Sequence, residues 1–422
     1  MINSIRLRAN QFSVYCLISI AFFLPLYKKI VPPLIFLLFL LWFFQKNYKN
    51  IPESIKKNRI IFIFIIFYFI HLFGIFYSSN IISGLFDLQV KFSILLLPIL
   101  LLSMKEQDQM VNNQKIFLSF IFGNIVASLI CLSHSLYLMI KWDASFDYFY
   151  YVDLSILLHP GYFSIYLCMS FVILLHLLEQ NFSGNKIKSR TILFLLAILF
   201  HILMIYLLSS KTNLLLLVII CTLYLLYKLK TKNLFLKALL GFVFAILLTT
   251  SANFNPRLNY AVTLAKKMTL SEFPVENEQN ESNQMRVEII SNSIKIIKNN
   301  FWFGVGTGDV KDELISSYKI NKNNFLEEKK LNAHNQYFET FIGLGVFGEL
   351  SLISMLFLPL YHFMRNKNYP GILFILICSF NFLFESVLNT QAGVVFFAFF
   401  LNLLLIYPNE NSGINSTGII SS

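Results

Sequence analysis

"IIFIFIIFYFIHLFGIFY", residues 60–77, is an apolar run without a single charged side chain. A second such run, "TILFLLAILFHILMIYLL", occupies residues 191–208. Runs of about 18 or more apolar residues are typical of helices that cross a membrane, where the backbone polar groups must be satisfied within the segment. The whole chain is similarly apolar, with 56% hydrophobic and 13% charged residues among 422 and a mean hydropathy of +0.65. The sequence therefore predicts an all-α, polytopic helical membrane protein.

Hydropathy predicts about twelve transmembrane helices. Their approximate limits are 11–28, 31–46, 60–77, 89–104, 116–140, 161–179, 191–209, 213–228, 234–250, 336–363, 370–387 and 391–407. One large polar loop, 251–335, separates spans 9 and 10, and we expect it to lie on the outer side of the membrane. The predicted organisation is an N-terminal transmembrane bundle at 1–190 with spans 1–6, a second region at 191–410 with spans 7–12 and the loop, and a cytoplasmic tail at 411–422.

The distribution of positive charge predicts the orientation of these spans. If the N-terminus is cytoplasmic, the inner connections and termini carry roughly seventeen cations, against about five in the short outer connections, as the positive-inside rule requires. The inner cations are Arg6, Arg8, Lys46, Lys49, Lys56, Lys57, Arg59, Lys105, Lys115, Lys186, Lys188, Arg190, Lys228, Lys230, Lys232, Arg365 and Lys367; the outer ones are Lys28, Lys29, Lys91, Lys141 and Lys211. The net charge of +12 is therefore mostly a topology signal. It predicts contact with anionic membrane lipids and gives no reason to expect a nucleic-acid partner.

Two outer segments hold candidate cations. "LLSSKTN" (207–213) places Ser210 and Lys211 in a tight turn between two spans. "NQMRVEIISNSIKIIKNN" (283–300) carries Arg286 beside an apolar stripe at helical spacing, formed by Val287, Ile290, Ile294 and Ile297. An arginine at that place either extends past lipid to the water or points into an interior that holds an anion. The sequence leaves both alternatives open.

Two further outer segments hold candidate ligand-binding residues. In "FWFGVGTGD" (301–309), Gly304 and Gly306 permit a tight turn or a close backbone approach to a ligand, and successive glycine N–H groups can bind phosphate. "NAHNQYFETFIGLGVFGEL" (332–350) sets His334 and Asn335 at the start of an apolar, glycine-punctuated helix.

Taken in order, these segments resemble the O-antigen ligase and O-antigen polymerase superfamily of bacterial envelope glycan enzymes. That pattern has a Ser-Arg turn between two spans, an arginine in a large periplasmic loop, a glycine turn, and a His-Asn pair ahead of a helix with glycines. The resemblance covers roughly residues 195–405. This chain has Lys211 where the family usually has arginine, and lysine keeps the charge but loses the bidentate fork.

The resemblance implies a multi-pass protein of the bacterial inner membrane with its active site facing the periplasm. Its members transfer a glycan from an undecaprenyl diphosphate carrier to another glycan, which is the lipid A core for a ligase and a growing chain for a polymerase. Lys211 and Arg286 would neutralise the diphosphate leaving group where charge develops. His334 would act as the base for the acceptor hydroxyl, because an imidazole can take a proton near neutral pH.

The resemblance also implies a metal-independent, inverting glycosyltransferase without a cofactor. In keeping with that, the sequence contains no Asp-x-Asp pair, and we expect no catalytic metal. Ser210, Gly304, Gly306 and Asn335 are candidate contacts of the diphosphate or glycan.

Two more polar residues at the outer ends of spans are candidates. His159, in "LLHPGY", ends the connection before the sixth span and is a candidate for the acceptor cleft. Glu385 lies near the outer end of a span, where an acid is costly and often functional, so it is predicted to orient His334 or Arg286. The alternative is a helix-end carboxylate that bonds neighbouring amides.

Three other functions remain open from the sequence. A polymerase of the same superfamily shares the predicted fold and donor. A lipid-linked glycan flippase or transporter should show charges deep in several spans and two comparable halves, whereas this chain has one large outer loop after nine predicted spans. A non-catalytic envelope scaffold would not need the outer-face histidine and cations.

We predict that the loop 251–335 faces the periplasm and that both termini face the cytoplasm. Single cysteines introduced at Asn280 and Asn411 can be tested with a membrane-impermeant thiol reagent. A reagent added outside should label position 280 only, and a reagent added to inverted vesicles should label position 411 only. Labelling of position 280 only from the cytoplasmic side would rule out a periplasmic active site.

Overall fold

The computed structural model describes residues 2–104, 113–142, 146–181, 189–228, 278–320 and 324–406, and every regular element in these ranges is a helix. The α-helices are α1 (Ile2–Phe23), α2 (Val31–Phe44), α3 (Ile51–Lys57), α4 (Ile61–Ile75), α5 (Ile81–Leu102), α6 (Asn113–Trp142), α7 (Tyr151–Leu154), α8 (Pro160–Asn181), α9 (Ser189–Leu207), α10 (Lys211–Lys228), α11 (Glu278–Asn299), α12 (Val310–Ile320), α13 (Asn324–Lys329), α14 (Gln336–Arg365), α15 (Tyr369–Phe382) and α16 (Gln391–Ile406). The predicted all-helical class is confirmed for this part of the chain.

Apolar helices coincide with the predicted spans wherever the structure describes the chain. By length and composition, five of these helices can cross a membrane (α5, α6, α8, α9 and α14), and a sixth span results if the segments Lys28–Phe44 and Asn47–Lys57, bent by 76°, are counted together. Shorter apolar helices of 10–17 residues lie in α1, α4, α10, α15 and α16. The structure thus agrees with a helical membrane protein. The ninth predicted span, 234–250, and the tail 411–422 lie outside the described residues, and the count of twelve stays a prediction.

Two helices form the centre of the bundle. Helix α16 is buried on all sides from Ala392 to Leu404, and 83% of the most apolar part of α8 is buried. Aromatic rings interlock around α16, with centroids 4.7 Å apart for Tyr166 of α8 and Phe396 and 4.4 Å apart for Phe120 of α6 and Phe400. The Tyr166 hydroxyl donates to the Ala392 carbonyl at 2.9 Å, which satisfies its polar atom inside the apolar core.

At one end of the bundle, connections predicted to lie outside contact one another. The Asp309 carboxylate, in the large loop, accepts hydrogen bonds from the backbone of Ser79 at 2.6 Å and of Asn80 at 2.7 Å, between α4 and α5. The Tyr77 hydroxyl donates to the Phe303 carbonyl at 2.6 Å. In a chain whose successive helices cross a membrane in opposite directions, alternate connections must lie on the same side.

At the other end, connections predicted to lie inside contact one another. The Trp42 indole N–H donates to the Ser103 hydroxyl at 2.7 Å, and the Gln114 side chain donates to that of Gln180 at 3.1 Å. These contacts join the connections after α2, α5 and α8. The alternation behind the predicted topology is therefore present in the packing.

Helix α14 is broken at Gly345, whose φ of 61° and ψ of −157° are not helical. The break lets the turn before α12 pack against the helix: the Val346 N–H donates to the Phe301 carbonyl at 2.9 Å, and a Cβ at Gly345 would lie 2.3 Å from the Trp302 carbonyl oxygen. The part after the break, 346–365, has roughly 20 residues and a length of ~30 Å, which matches the hydrocarbon core of a bilayer. The first part of α14 is then free to lie at the outer membrane surface.

We predict that Gly345→Ala destabilises the protein, because alanine has neither the space nor the backbone freedom that this position requires. The strain should cost roughly 1–3 kcal/mol and lower the unfolding temperature of the detergent-purified protein. Gly161→Ala is the matched control, because its Cβ would meet only its own neighbour His159, at 3.3 Å. Equal unfolding temperatures for the two variants would contradict the tight packing at the break.

Candidate functional site

The start of α14 is tied to the connection between α15 and α16. The Asn335 side chain accepts from the Phe338 N–H at 3.1 Å, which caps the helix, and donates to the Leu383 carbonyl at 3.1 Å. The buried Gln336 side chain accepts from the Leu388 N–H at 2.7 Å. Asn335, predicted as a substrate contact, thus has a structural role that uses both the oxygen and the nitrogen of its side-chain amide.

Glu339, one turn further along α14, reinforces this connection. Its Oε1 accepts from the Asn389 side chain at 2.7 Å, and its Oε2 accepts from the Ala333 N–H at 3.1 Å and from the Ser386 hydroxyl at 3.4 Å. One carboxylate therefore holds the residue before His334 and the connection after α15 in a fixed relation.

His334 sits between these two anchored segments. Its backbone has a φ of 45°, and its N–H donates to the Asn332 side chain at 3.1 Å. Its Nδ1 lies 3.4 Å from Oε2 of Glu385, and the two side chains are 35% and 26% exposed. A carboxylate beside Nδ1 favours the tautomer with the proton on that nitrogen, which leaves Nε2 able to accept a proton. The structure thus brings together His334 and Glu385, one of the two pairings that the sequence left open for this acid.

A polar cavity of about 540 Å³ opens beside His334, within the range of small-ligand sites. Besides His334, its polar and charged lining consists of His71, Ser83, Asp87, Lys91, Thr307, Lys311, Lys330, Asn332, Gln336, Glu339, Thr340 and Asn389. Lys91 is buried and paired with Asp87 one turn earlier on α5. A ligand here would meet hydroxyl, amide, carboxylate and ammonium groups, the set that hydrogen-bonds sugar hydroxyls.

In the sequence, Lys91 is predicted only as an outer-face cation, and Asp87 is not among the predicted site residues. The signal that would have found them is the spacing itself. Two opposite charges four residues apart lie on one face of a helix, and ionisable groups within an apolar helix are costly and often functional.

The Ser210–Lys211 turn lies at the same end of the bundle, on the Glu385 side of His334. The Asn213 side chain donates to the Ser210 hydroxyl at 3.1 Å and accepts from the Asn381 side chain at 3.0 Å. The Asn381 carbonyl accepts from the Glu385 N–H at 3.0 Å. Two amide side chains therefore link the turn to Glu385, and the exposed Lys211 lies outside the cavity lining.

His159 lies directly before α8 and flanks the same connection. Its exposed ring is 6.2 Å from that of Tyr162, whose hydroxyl lies 3.5 Å from the Ser386 carbonyl. His159 is thus near the residue after Glu385, and it does not line the cavity.

The face of helix α11 that packs against the protein is not the face that carries its apolar stripe. Its buried side chains include Ile289, Ser293 and Ile296, whereas most of the stripe is exposed and Arg286 is exposed beside it. Arg286 does not line the cavity. This placement favours the lipid-facing alternative for Arg286 over an interior one.

The backbone N–H groups of the glycine turn form hydrogen bonds within the protein. The backbone N–H groups from Gly304 to Asp309 all donate to protein acceptors: Asn300 O, Ile342 O, Gly343 O, Gly74 O, Ser78 Oγ and Gly306 O, at distances of 2.8–3.3 Å. Cβ atoms at Gly304 and Gly306 would lie 2.4 Å from the Gly343 backbone and the Ser78 side chain. The close backbone approach of these glycines is to α14 and to the end of α4, and the predicted contact of Gly304 and Gly306 with phosphate stays a prediction.

Comparison with known proteins agrees with the resemblance seen in the sequence. Residues 193–353 match the O-antigen ligase family, and this match confirms the similarity to the O-antigen ligase and polymerase superfamily. The matched region contains Ser210, Lys211, Arg286 and His334, whereas His159 and Glu385 lie outside it. The match shows what this region is similar to.

An uncharacterized protein from Haemophilus influenzae is 28% identical over 163 residues, which cover 36% of this chain. The match spans 39% of that protein's own length. It adds a relative without adding a function.

Proposed function

We propose that this protein transfers a glycan from undecaprenyl diphosphate to a glycan acceptor such as the lipid A core, as an O-antigen ligase at the periplasmic face of the inner membrane. The observation that carries the proposal is the position of His334. It lies between a carboxylate partner and a polar cavity, at the end of the bundle where the predicted outer connections meet. The family match over the region containing His334 agrees with this reading.

In this mechanism His334 is the base. Its Nε2 takes the proton of an acceptor hydroxyl, the acceptor oxygen attacks the anomeric carbon with inversion, and the bond from that carbon to the diphosphate breaks, so that undecaprenyl diphosphate leaves. Glu385 keeps the proton on Nδ1, orients the ring and stabilises the imidazolium that forms. A positioned base typically contributes about 10² to 10⁴-fold to the rate.

The two sides of His334 suggest two substrate positions. The acceptor sugar would occupy the polar cavity, where Asn332, Asn389 and Thr340 can bind hydroxyl groups. The donor diphosphate would approach from the membrane, where Lys211 and Arg286 neutralise its charge as the resemblance implies. Cations that act where negative charge develops lower the barrier without a metal.

A ligase and a polymerase of this superfamily differ in the acceptor. Deletion of the gene in its host followed by analysis of the surface glycan separates them. An uncapped lipid A core together with accumulated carrier-linked polymer is expected for the ligase proposed. A core capped with a single repeat unit would show the polymerase instead.

We predict that His334→Gln nearly abolishes transfer, as does His334→Ala, in an assay with purified carrier-linked donor. Glutamine keeps hydrogen-bonding capacity and similar bulk but cannot take a proton, so both variants should lose about 10² to 10⁴-fold in rate. Both should still insert in the membrane. A Gln variant near the wild-type rate would show that His334 takes no part in the chemistry. Surface glycan at the wild-type level in cells that carry either variant would favour a non-catalytic scaffold.

We predict that Arg286→Ala lowers the transfer rate by on the order of 10²-fold, because a developing charge loses its partner. Lys211→Ala should also lower the rate. Lys211→Arg should be tolerated, because it restores the residue usual in the family and keeps the charge. An inactive but normally inserted Lys211→Arg variant would contradict the role assigned to this turn.

A further inference from the structure

Helix α11 exposes an apolar face to the surroundings of the protein. Val287 is 66% exposed, Ile290 42% and Ile294 40%. At about 100° per residue these side chains lie within one narrow sector. Two lysines, Lys295 and Lys298, border this sector on one side and are also exposed, whereas the opposite side of the helix packs into the protein. An apolar stripe edged by cations is typical of a helix that lies on a membrane.

The turn that follows α11 continues this apolar surface. Phe301, Trp302 and Phe303 are 44%, 62% and 65% exposed, and the Phe303 ring lies 5.6 Å from that of Phe347 on α14. Tryptophan is enriched at membrane–water boundaries, where one part of its ring meets lipid and the other meets water.

The break in α14 fixes the position of this turn along that helix. The backbone of Trp302 packs against Gly345, the residue at which the membrane-length part of α14 begins. Beyond that point α14 exposes Phe347, Leu350 and Phe357, each at least 48%, as expected for a lipid-facing surface. The three aromatic residues therefore lie at the outer boundary of the hydrocarbon core.

We propose that the exposed face of α11 and the turn 301–303, together called the interfacial face, rest on the outer surface of the bilayer and bind anionic phospholipid. The apolar stripe would enter the acyl boundary, and Lys295 and Lys298 would contact lipid phosphates. The continuity with the lipid-facing side of α14 and the complementary charge both favour a bilayer as the occupant. A contiguous exposed apolar patch of this kind is rare on a protein surface that contacts only water.

The interfacial face has a consequence for the donor, which rests on the proposed function. Arg286 lies at the edge of this face, and a bilayer contact would hold its guanidinium at the depth of the lipid headgroups. The diphosphate of a polyprenyl donor lies at the same depth. The membrane contact would thus position Arg286 for the donor.

Spin labels on the full-length protein in vesicles of phosphatidylethanolamine and phosphatidylglycerol test the proposal. Labels would be attached at Ile290→Cys and Ile294→Cys, with Ser316→Cys on the polar exposed face of α12 as the aqueous control and Ile353→Cys on α14 as the lipid control. Cys221 would be replaced by alanine, since the other four cysteines are buried. Collisions with oxygen report lipid, and collisions with a water-soluble nickel chelate report water.

We expect labels at 290 and 294 to behave like the label at 353, with nickel collisions several-fold rarer than at 316. Nickel collisions as frequent as at 316 would overturn the proposal. Protection that arises only after undecaprenyl diphosphate is added would also overturn it, because the occupant would then be the carrier chain. No transfer activity is measured, so failure here is distinct from failure of the proposed function.

The anionic part of the proposal has its own readout. Replacing phosphatidylglycerol by phosphatidylcholine, or introducing Lys295→Gln with Lys298→Gln, should raise nickel access at position 290 by about twofold or more, because the lysines lose their phosphate partners. Lys311→Gln with Lys319→Gln, on α12, is the matched control and should leave it unchanged. Equal access in all these cases would show that anionic lipid is not bound.

Discussion

The hydrogen bonds that tie the start of α14 to the connection between α15 and α16 are the constraint on which the site depends. Gln336, Asn335 and Glu339 each reach across to this connection. Since the two segments are far apart in the chain, these side-chain bonds define the distance between His334 and Glu385. If His334 is the proposed base and Glu385 orients it, the pair must be held within a few tenths of an ångström, and the three polar anchors around His334 would provide that.

The break at Gly345 separates the polar start of α14, which carries the site, from the membrane-length part that follows. A continuous α14 would carry its polar start far outside the lipid or draw it in, whereas the break leaves a membrane-length part after residue 345 and a separate polar part before it. Residues 301–303 fill the break, and the glycines that follow them pack against Gly343 and Ser78. Under the proposed function, this arrangement would place the site at the boundary where a lipid-linked donor and a water-soluble sugar chain can meet.

Much of this arrangement was predictable, and the rest was not for identifiable reasons. His334 stood out because a histidine at the mouth of an apolar helix is unusual, and Glu385 because an acid near the end of a span is costly. Lys91 and Asp87 were missed as a cavity pair because the sequence does not say which face of α5 lines the cavity beside α14. The apolar stripe of α11 was visible, but whether it faced protein or lipid depended on packing.

The sequence by itself determined the helical membrane class, the positions of the spans now seen as helices, and the family resemblance. These depend on local hydropathy and short motifs, which act within one segment. Only the tertiary structure decided that His334 meets Glu385, that a cavity opens beside them, and that the glycine turn packs against α14 and the end of α4. Such contacts join residues from separate helices, and their geometry arises from packing and long-range hydrogen bonds that no single segment encodes.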